Sequence, residues 1–254
     1  MLRRLGKGLK YLVGNPEYFF YYFARKLPSL LQATTGATAE QLAELRKELE
    51  DAPDFAPRIR EAARSVAHET WELNDTHHFL YALVRLNQPR VIVETGVFDG
   101  FYSACFLQAL FENEERGGKG GTLVSIDLPA NEEIEDSTRR LPVRTGLPRG
   151  EQPGWAIPAH LRRLWRPHFG DSRQLLPKVL VQVDEVDLFF HDSLHTHDHM
   201  TFEFETAWPK LSQEGLLLSH DVHWNRAFRQ FARAKGRKTH VAHGFGLIQK
   251  GGDD

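Results

Sequence analysis

Histidines and aspartates are concentrated in one short part of the chain. Six of the thirteen histidines lie between His191 and His223. The first group reads His191-Asp-Ser-Leu-His195-Thr-His197-Asp-His199, and the second reads His220-Asp-Val-His223. An imidazole exchanges protons near neutral pH, and carboxylates are preferred ligands of divalent cations. These residue types therefore favour general-base chemistry, metal binding, or both.

Both groups follow apolar runs that read as buried strands. Asp187–Phe190 predicts one strand and Leu216–Ser219 predicts another. Ligands of open parallel sheets bind beyond the carboxyl ends of the strands. We therefore expect Asp192 and His195 in the loop after the first strand and Asp221 at the end of its neighbour. Two carboxylates placed in this way can share one divalent cation.

Acids or glycines also follow the other predicted strands, at Glu94 to Gly100, at Asp127 and at Gly170 to Ser172. Gly96 permits a tight bend, and Gly100 lets the start of a helix approach a ligand. The helix N-terminus then offers N–H groups to an anion. The carboxylate of Asp127 suits a ribose diol. This set, which includes Glu94, indicates a nucleoside-containing cofactor.

The elements that position these residues alternate between strand and helix from about residue 61 onwards. Seven strands predict an α/β fold: a Rossmann-like, mostly parallel sheet with helices on both faces and an antiparallel last strand. We expect two parts in the chain. Residues 1–60 form a helical N-terminal extension, with a connector at 27–60, and residues 61–254 form the cofactor-binding domain.

Composition excludes several classes of protein. The 254 residues carry a formal net charge of −2, which argues against a nucleic-acid binder. No run approaches the ~18 consecutive apolar residues of a membrane span. The single cysteine, Cys105, cannot form an internal disulfide, so we expect a cytoplasmic protein and a buried, unreactive thiol.

The basic and aromatic N-terminal segment, residues 1–26, has two interpretations. Six consecutive aromatic residues, Tyr18 to Phe23, lie among lysines and arginines. This composition is compatible with a peripheral membrane contact. The alternative is packing on the domain or on a second subunit of a homo-oligomer, and we favour packing.

The ordered set of motifs resembles one family. Val93-Glu-Thr-Gly-Val97, Ser125-Ile-Asp127, Gly170-Asp-Ser172, Asp187 to His195 and Gly215 to Val222 are similar to class I S-adenosylmethionine-dependent methyltransferases. The similarity is greatest to the branch that includes sugar O-methyltransferases of macrolide and aminocoumarin pathways. The resemblance implies S-adenosylmethionine as cofactor and assigns roles along the chain. Glu94, Gly96 and Gly100 would surround its methionine part, Ser103 would reach its carboxylate, Asp127 would hold the ribose, and Asp171 and Ser172 would lie near the adenine.

The same resemblance assigns the histidine-rich segments. His195, three residues after Asp192, would be the general base, and a divalent metal such as Mg²⁺ would bind Asp192, Asp221 and His220. Several relatives have an acid where this chain has His220. Because Mg²⁺ prefers oxygen, His220 either points away or selects a softer ion, and both possibilities stay open, as does the absence of a metal. We expect His191, His197, His199 and His223 on polar loop or helix surfaces.

The reaction implied is O-methylation of a hydroxyl on a sugar, glycan or other small metabolite. The long segment Leu128–Leu164 reads as a lid, with Trp155 covering cofactor or substrate. Two alternatives stay open. One is a metal-dependent hydrolase built on Asp192, His195 and Asp221, which leaves Glu94, Gly96 and Asp127 without a role. The other is a non-catalytic module that retains the fold.

Overall fold

The computed structural model describes residues 26–65, 73–129, 133–134, 143–144, 147 and 150–251. Its α-helices are α1 (Leu27–Thr35), α2 (Ala39–Asp51), α3 (Ala56–Ser65), α4 (Asp75–Asn87), α5 (Phe101–Glu115), α6 (Ser172–Gln182), α7 (His197–Ala207) and α8 (Ala227–Ala234). Its strands are β1 (Val91–Thr95), β2 (Thr122–Asp127), β3 (Glu133–Ile134), β4 (Val143–Arg144), β5 (Trp165–Phe169), β6 (Val186–His191), β7 (Leu211–Ser219), β8 (His240–Ala242) and β9 (Phe245–Gln249). Short 3₁₀ turns occupy Ala159–Leu164 and Trp208–Lys210.

Seven strands form the main sheet, in the order β5-β2-β1-β6-β7-β9-β8. The first five are parallel to one another, and β9 is antiparallel to both β7 and β8. The strand order reverses between β1 and β6, so both strands end beside the same crevice. The predicted Rossmann-like, mostly parallel sheet with an antiparallel last strand is confirmed.

The hydrophobic core lies on the two faces of this sheet. One face packs against α1, α4 and α5, with Leu80, Leu107 and Phe190 fully buried. The other packs against α6, α7 and α8, with Leu176, Phe204 and Phe228 fully buried. Because β1 is covered on both faces, its run of β-branched residues shows no polar alternation, as expected of an interior parallel strand.

Part of the predicted connector is a helix that belongs to the core. In α1, Pro28 occupies the first turn, and Gly36 caps the C-terminus in the left-handed region at φ +71°. Leu27, Leu30 and Leu31 are buried in the same cluster as α4. The predicted helical extension and connector, residues 1–60, therefore contains a segment, Leu27–Thr35, that three leucines on one stripe bury on the domain.

The predicted division at residues 60/61 falls inside α3, whose Ile59 and neighbouring Phe55 join the same core. The predictions for residues 1–25, which concern membrane contact and subunit packing, lie outside the described residues. In the described part of the chain, no helix has the length and apolar character of a membrane span. Cys105 is buried, as predicted, and burial raises the pKa of its thiol.

Candidate functional site

The ends of β1, β6 and β7 are joined to one another by backbone hydrogen bonds. The amide of Asp192 donates to the carbonyl of Thr95 at 2.8 Å, and the amide of His220 donates to the carbonyl of His191 at 2.9 Å. Gly96, at φ +86°, lies so close to the next loop that a Cβ would be 2.3 Å from the carbonyl oxygen of Asp192. The loop after β1, residues 96–100, and the loop after β6 therefore form a single surface.

A cleft of about 500 Å³ opens on this surface. Its lining is Asn74, His77, Val97, Phe98, Asp99, Gly100, Phe101, Tyr102, Asp192, His220 and Asp221. The structure thus places the expected cofactor loop and Asp192, His220 and Asp221 around one cleft at the carboxyl edge of the sheet. The other predicted site residues lie outside the lining: Glu94, Gly96, Ser103, Asp127, Asp171, Ser172 and His195.

Asp192 is hydrogen-bonded to His220 and lies near the ring of His195. Its Oδ1 lies 2.8 Å from Nδ1 of His220 and 3.5 Å from Nε2 of His195. Burial raises the pKa of Asp192, but the charge and hydrogen bonds of the two histidines outweigh burial and hold this pKa at about 2. Burial lowers the pKa of His220, and the charge of Asp192 outweighs that effect, so the pKa of His220 is raised. The site therefore presents an ionised carboxylate next to two imidazoles.

One arrangement of ligand atoms fits a metal ion. Asp192, His195 and His220 each offer one atom, and these three atoms lie within 4.8 Å of one another. The sequence-based set was Asp192, Asp221 and His220. Asp221 is outside the group that the structure assembles: its Oδ1 lies 3.8 Å from Nε2 of His220, and its own backbone is left-handed at φ +51°. His195 joins the group because the short loop turns its ring back over Asp192.

Glu94 is fully buried at the end of β1. The hydroxyls of Ser103 and Ser125 each donate to its Oε1 at 2.6 Å, whereas its Oε2 has no hydrogen-bond partner among the described residues. Burial raises the pKa of Glu94 to about 8, against the opposing effect of the two hydroxyls. The role of Ser103 toward the methionine carboxylate stays a prediction, and the structure adds a contact from Ser103 to Glu94.

Asp127 holds the loop after β1. Its Oδ2 accepts from the amides of Val97 and Phe98 at 2.8 and 2.7 Å, and its Oδ1 accepts from the amide of Leu128 at 2.7 Å. Burial raises the pKa of Asp127, and these amides oppose the change. A ribose contact stays a prediction. Asp127 also shapes the loop itself, which sequence reasoning did not foresee.

Asp171 and Ser172 begin α6. The side chain of Asp171 caps the helix by accepting from the amide of Arg173 at 2.9 Å. The hydroxyl of Ser172 points inward and donates to Oε1 of Glu203 at 2.5 Å. Their placement near adenine stays a prediction, and the hydroxyl of Ser172 already has a partner in the interior. Phe169, which pairs in register with Asp127, is the exposed aromatic side chain at this edge.

Two of the four histidines expected on the surface are buried. His191 is the last residue of β6 and is fully buried, and His199 is 3 % exposed. This prediction was wrong because β6 extends one residue beyond Phe190, and because Glu203, which sequence reasoning missed, supplies a buried partner to both rings. Glu203 follows His199 by four residues, on the helix face that also carries Met200 and Phe204.

The described part of the predicted lid is joined to the cofactor loop. The indole Nε1 of Trp155 donates to Oδ1 of Asp99 at 2.7 Å, and the amides of Gly154 and Ala156 donate to the carbonyls of Phe98 and Asp99. Gly100 lies so close that a Cβ there would be 2.8 Å from Cα of Gly154. Trp155 and its neighbours therefore pack against the loop 96–100. Most of residues 130–149 lie outside the described residues.

Comparison with known proteins agrees with this geometry. The family model described as "Methyltransferase domain" matches residues 93–222, just over half of the chain. No curated protein matches the chain.

Solved structures share the fold at low identity. An O-methyltransferase of Klebsiella pneumoniae, described as putative, superposes with a TM-score of 0.54 at 16 % identity, covering 83 % of this chain and 96 % of the other. TomG of Streptomyces achromogenes, an O-methyltransferase of tomaymycin synthesis in complex with SAM, superposes with a TM-score of 0.51 at 18 % identity, covering 78 % of this chain and 89 % of the other. The SAH-bound methyltransferase PaMTH1 of Podospora anserina superposes with a TM-score of 0.52 at 14 % identity, covering 86 % of this chain and 97 % of the other.

The family match, residues 93–222, contains the loop 96–100 and the cluster of Asp192, His195 and His220. The chain belongs to the methyltransferase-domain family and is a class I S-adenosylmethionine-dependent methyltransferase.

Proposed function

We propose that the protein transfers a methyl group from S-adenosylmethionine to a hydroxyl oxygen of a sugar, glycan or other small metabolite. The observation that carries this proposal is the shared cleft, in which the loop 96–100 faces Asp192, His220 and Asp221. Such a cleft can hold the sulfonium and the acceptor hydroxyl side by side. Positioning of this kind accounts for a large part of the barrier lowering in a displacement reaction.

The chemistry requires little from the protein beyond alignment and one base. The acceptor oxygen forms a bond to the methyl carbon, the carbon–sulfur bond breaks, and S-adenosylhomocysteine leaves. The hydroxyl proton passes to the imidazole of His195, whose ring is held between Asp192 and Trp224. A general base in this position contributes roughly 10²–10⁴-fold to the rate.

The residues present fit the cofactor. Within the described part of the chain, the buried Oε2 of Glu94 has no hydrogen-bond partner. The family resemblance puts the methionine part of the cofactor near this residue. The ammonium of S-adenosylmethionine is a suitable partner, because a buried polar atom is costly until it is hydrogen-bonded. Asp127 would hold the ribose from the end of β2, and Gly96 and Gly100 let the loop pass closely over its neighbours.

The residues also fit a divalent cation, although not one with a strict preference for oxygen. Asp192, His195 and His220 offer one carboxylate and two imidazoles, a set typical of first-row transition metals rather than Mg²⁺. A cation held there would act as a Lewis acid toward the acceptor oxygen. If His195 binds the cation, it cannot also be the base, so the metal and the base are alternative uses of this ring.

The cleft wall favours an acceptor with an apolar face. Phe98 lines the cleft and is 49 % exposed. Trp224 lies outside the lining and is 50 % exposed beside the ring of His195. A sugar ring or a flat metabolite offers C–H or π faces to such side chains. From the sequence, we also propose a cytoplasmic protein whose residues 1–26 pack on the domain or on a second subunit, with a peripheral membrane contact as the alternative.

The proposed function is tested by separating binding from turnover. Asp127→Ala removes an acceptor of the cofactor loop and the predicted ribose ligand, so we expect the affinity for S-adenosylhomocysteine to fall about tenfold or more. His195→Ala should leave that affinity within about threefold and lower methyl transfer about 100-fold or more. Calorimetry measures the first quantity, and transfer of labelled methyl to a library of hydroxyl acceptors measures the second.

An equal loss of cofactor binding in both variants would contradict the assigned roles. A wild-type protein that binds S-adenosylhomocysteine but methylates no hydroxyl acceptor would favour the non-catalytic alternative. Membership of the methyltransferase family already favours methyl transfer over the hydrolase alternative.

Cofactor binding should release a proton near neutral pH. Glu94, with its pKa raised to about 8, is mostly protonated in the free protein at pH 7. The ammonium of the cofactor favours the carboxylate form, so the proton leaves when the cofactor binds. Calorimetry at pH 7 in buffers of different ionisation enthalpy should show up to one proton released by the wild type and none by Glu94→Gln. Above pH 9 the wild type should release none. Proton release by Glu94→Gln equal to that of the wild type would assign the effect to another group.

A further inference from the structure

Glu203 is a fully buried carboxylate that the proposed reaction does not use. It lies on α7 among apolar residues, and its two oxygens are surrounded by donors from several elements. The donors are Thr95 Oγ1 at 2.5 Å, Ser172 Oγ at 2.5 Å, His191 Nδ1 at 2.6 Å, Ser193 Oγ at 2.9 Å and His199 Nε2 at 2.9 Å. One side chain thus connects the end of β1, the start of α6, the end of β6 and α7.

The network surrounds one carboxylate with hydroxyl and imidazole donors. Burial raises the pKa of Glu203, but the charge and hydrogen bonds of His191 and His199 outweigh burial and hold that pKa well below its usual range. Burial lowers the pKa of His191 despite its bond to Glu203. An ionised carboxylate accepts only, so both imidazole nitrogens facing it carry their protons. The orientation of each ring is thereby fixed.

The two residues that flank Asp192 in the chain both belong to this network. His191 precedes it and Ser193 follows it, and both donate to Glu203. The ring of His191 also packs edge-on against the ring of His195, with centroids 5.2 Å apart. Thr95, which donates to the same carboxylate, immediately precedes Gly96 of the cofactor loop. Glu203 therefore contacts neither the cleft nor Asp192, but it holds the backbone that carries both halves of the site.

We propose that Glu203 is a positioning residue, which fixes the loop of Asp192 and His195 relative to the cofactor loop. This inference rests on the proposed methyl transfer to a hydroxyl. Burying a carboxylate costs free energy, and the hydrogen bonds that compensate this cost fix the positions of their donors. Such a residue is better suited to aligning two loops than to filling space in the core. A misplacement of about 1 Å in such an alignment costs roughly 100-fold in rate.

The experiment compares three variants of the full chain. Glu203→Gln removes the charge and gives the donors an amide in its place. Ser193→Ala removes a single donor and leaves the carboxylate intact, so it stays informative if Glu203→Gln does not fold. Glu205→Gln is the matched control, because Glu205 lies on the same helix, is half exposed and pairs only with Lys235 among the described ion pairs.

The readouts separate positioning from folding. We expect kcat for a hydroxyl acceptor to fall about 100-fold in Glu203→Gln and about tenfold in Ser193→Ala. The dissociation constant for S-adenosylhomocysteine should stay within about threefold in Ser193→Ala, which leaves the contact between Thr95 and Glu203 in place. In ¹⁵N-edited NMR, the hydrogen-bonded Nδ1–H signal of His191 should be lost in Glu203→Gln and kept in Ser193→Ala. Glu205→Gln should match the wild type throughout.

Unchanged kcat in Ser193→Ala, with a lowered Tm alone, would overturn the proposal and leave Glu203 a structural residue. Unchanged kcat in a folded Glu203→Gln would do the same. A parallel loss of S-adenosylhomocysteine binding and of kcat in Ser193→Ala would also overturn it, since Ser193 holds the Asp192 loop and not the cofactor loop. A wild type without methyl transfer would reject the proposed function, and the inference about Glu203 with it.

Discussion

Alanine at position 96 should abolish most cofactor binding and lower the thermal stability of the whole domain. Gly96 adopts φ +86°, which an alanine disfavours by about 1–2 kcal/mol. A Cβ at this position would lie 2.3 Å from the carbonyl oxygen of Asp192 and 2.8 Å from the amide nitrogen of Ser193. These are backbone atoms and cannot rotate away, so the loops must separate, at a further cost of about 1–3 kcal/mol.

Gly36→Ala provides the matched control for this change. Gly36 has a similar φ of +71°, but a Cβ there would meet no atom within 4 Å. It should therefore show the conformational cost alone, a loss of about 1–2 kcal/mol in unfolding free energy with normal binding of S-adenosylhomocysteine. Gly96→Ala should lose about 2–5 kcal/mol and bind S-adenosylhomocysteine at least tenfold more weakly.

Chemical denaturation gives the two free energies, and calorimetry gives the two dissociation constants. If both glycine variants lost the same stability and both kept cofactor binding, the contact between the two loops would not be needed for the site. If Gly96→Ala lost stability alone, the loop after β1 would not form part of the cofactor site.

The sequence predicts the sheet well because its interior strands carry a local signal. The mostly apolar runs Arg90–Glu94 and Thr122–Ile126 predict two of these strands. The structure ends each of them one residue later, at Thr95 and Asp127. The functional loops follow those ends. If the two strands before Asp192 and Asp221 are neighbours in the sheet, these two residues lie at the same edge. Their proximity is therefore predicted from topology and not from a local feature of the sequence.

The buried histidines show where such reasoning fails. Sequence cannot tell that β6 includes His191, because one added residue turns a side chain from the loop into the interior. Glu203 reads as an ordinary helix charge until its apolar neighbours, Met200 and Phe204, are placed on the same buried face. Its partners come from positions 95, 172 and 191, and no local spacing relates them.

The candidate metal-binding residues differ from the predicted ones for a similar reason. Several relatives have an acid where this chain has His220, just after β7, and the resemblance therefore suggested Asp221 as a ligand. The fold instead brings His195 over Asp192 from the same loop. The spacing of three residues between Asp192 and His195 allows this contact, but it also allows the ring to face solvent. Only the packing of His195 between His191 and Trp224 selects the inward orientation.

Asparagine at position 192 should nearly eliminate methyl transfer while leaving cofactor binding intact. Asp192 is the ionised group, with a pKa of about 2, to which both His195 and His220 are directed. Asparagine has nearly the same shape but no charge, so it can neither hold a cation nor balance the imidazolium that forms when His195 accepts a proton. We expect kcat to fall about 10²–10⁴-fold, whether Asp192 acts by holding a cation or by balancing the charge on His195.

A second measurement separates the two routes. Titration of the wild type with Mn²⁺ or Co²⁺ by calorimetry shows whether Asp192, His195 and His220 bind an ion, and Asp192→Asn should abolish such binding. If the wild type binds neither ion and Asp192→Asn still loses turnover, Asp192 acts on the base alone. If the ion binds and chelation removes turnover, His195 is a ligand and the proton leaves by another path.

Asp198→Asn is the control for the charge change. Asp198 lies six residues further along, at the start of α7, and its side chain is 75 % exposed. It should keep wild-type turnover, ion binding and affinity for S-adenosylhomocysteine. Asp192→Asn with turnover within about threefold of this control would place the chemistry elsewhere in the cleft. In that case Asp221, on the same wall, becomes the carboxylate to replace next, because it is the remaining acid among the cleft residues that follow β6 and β7.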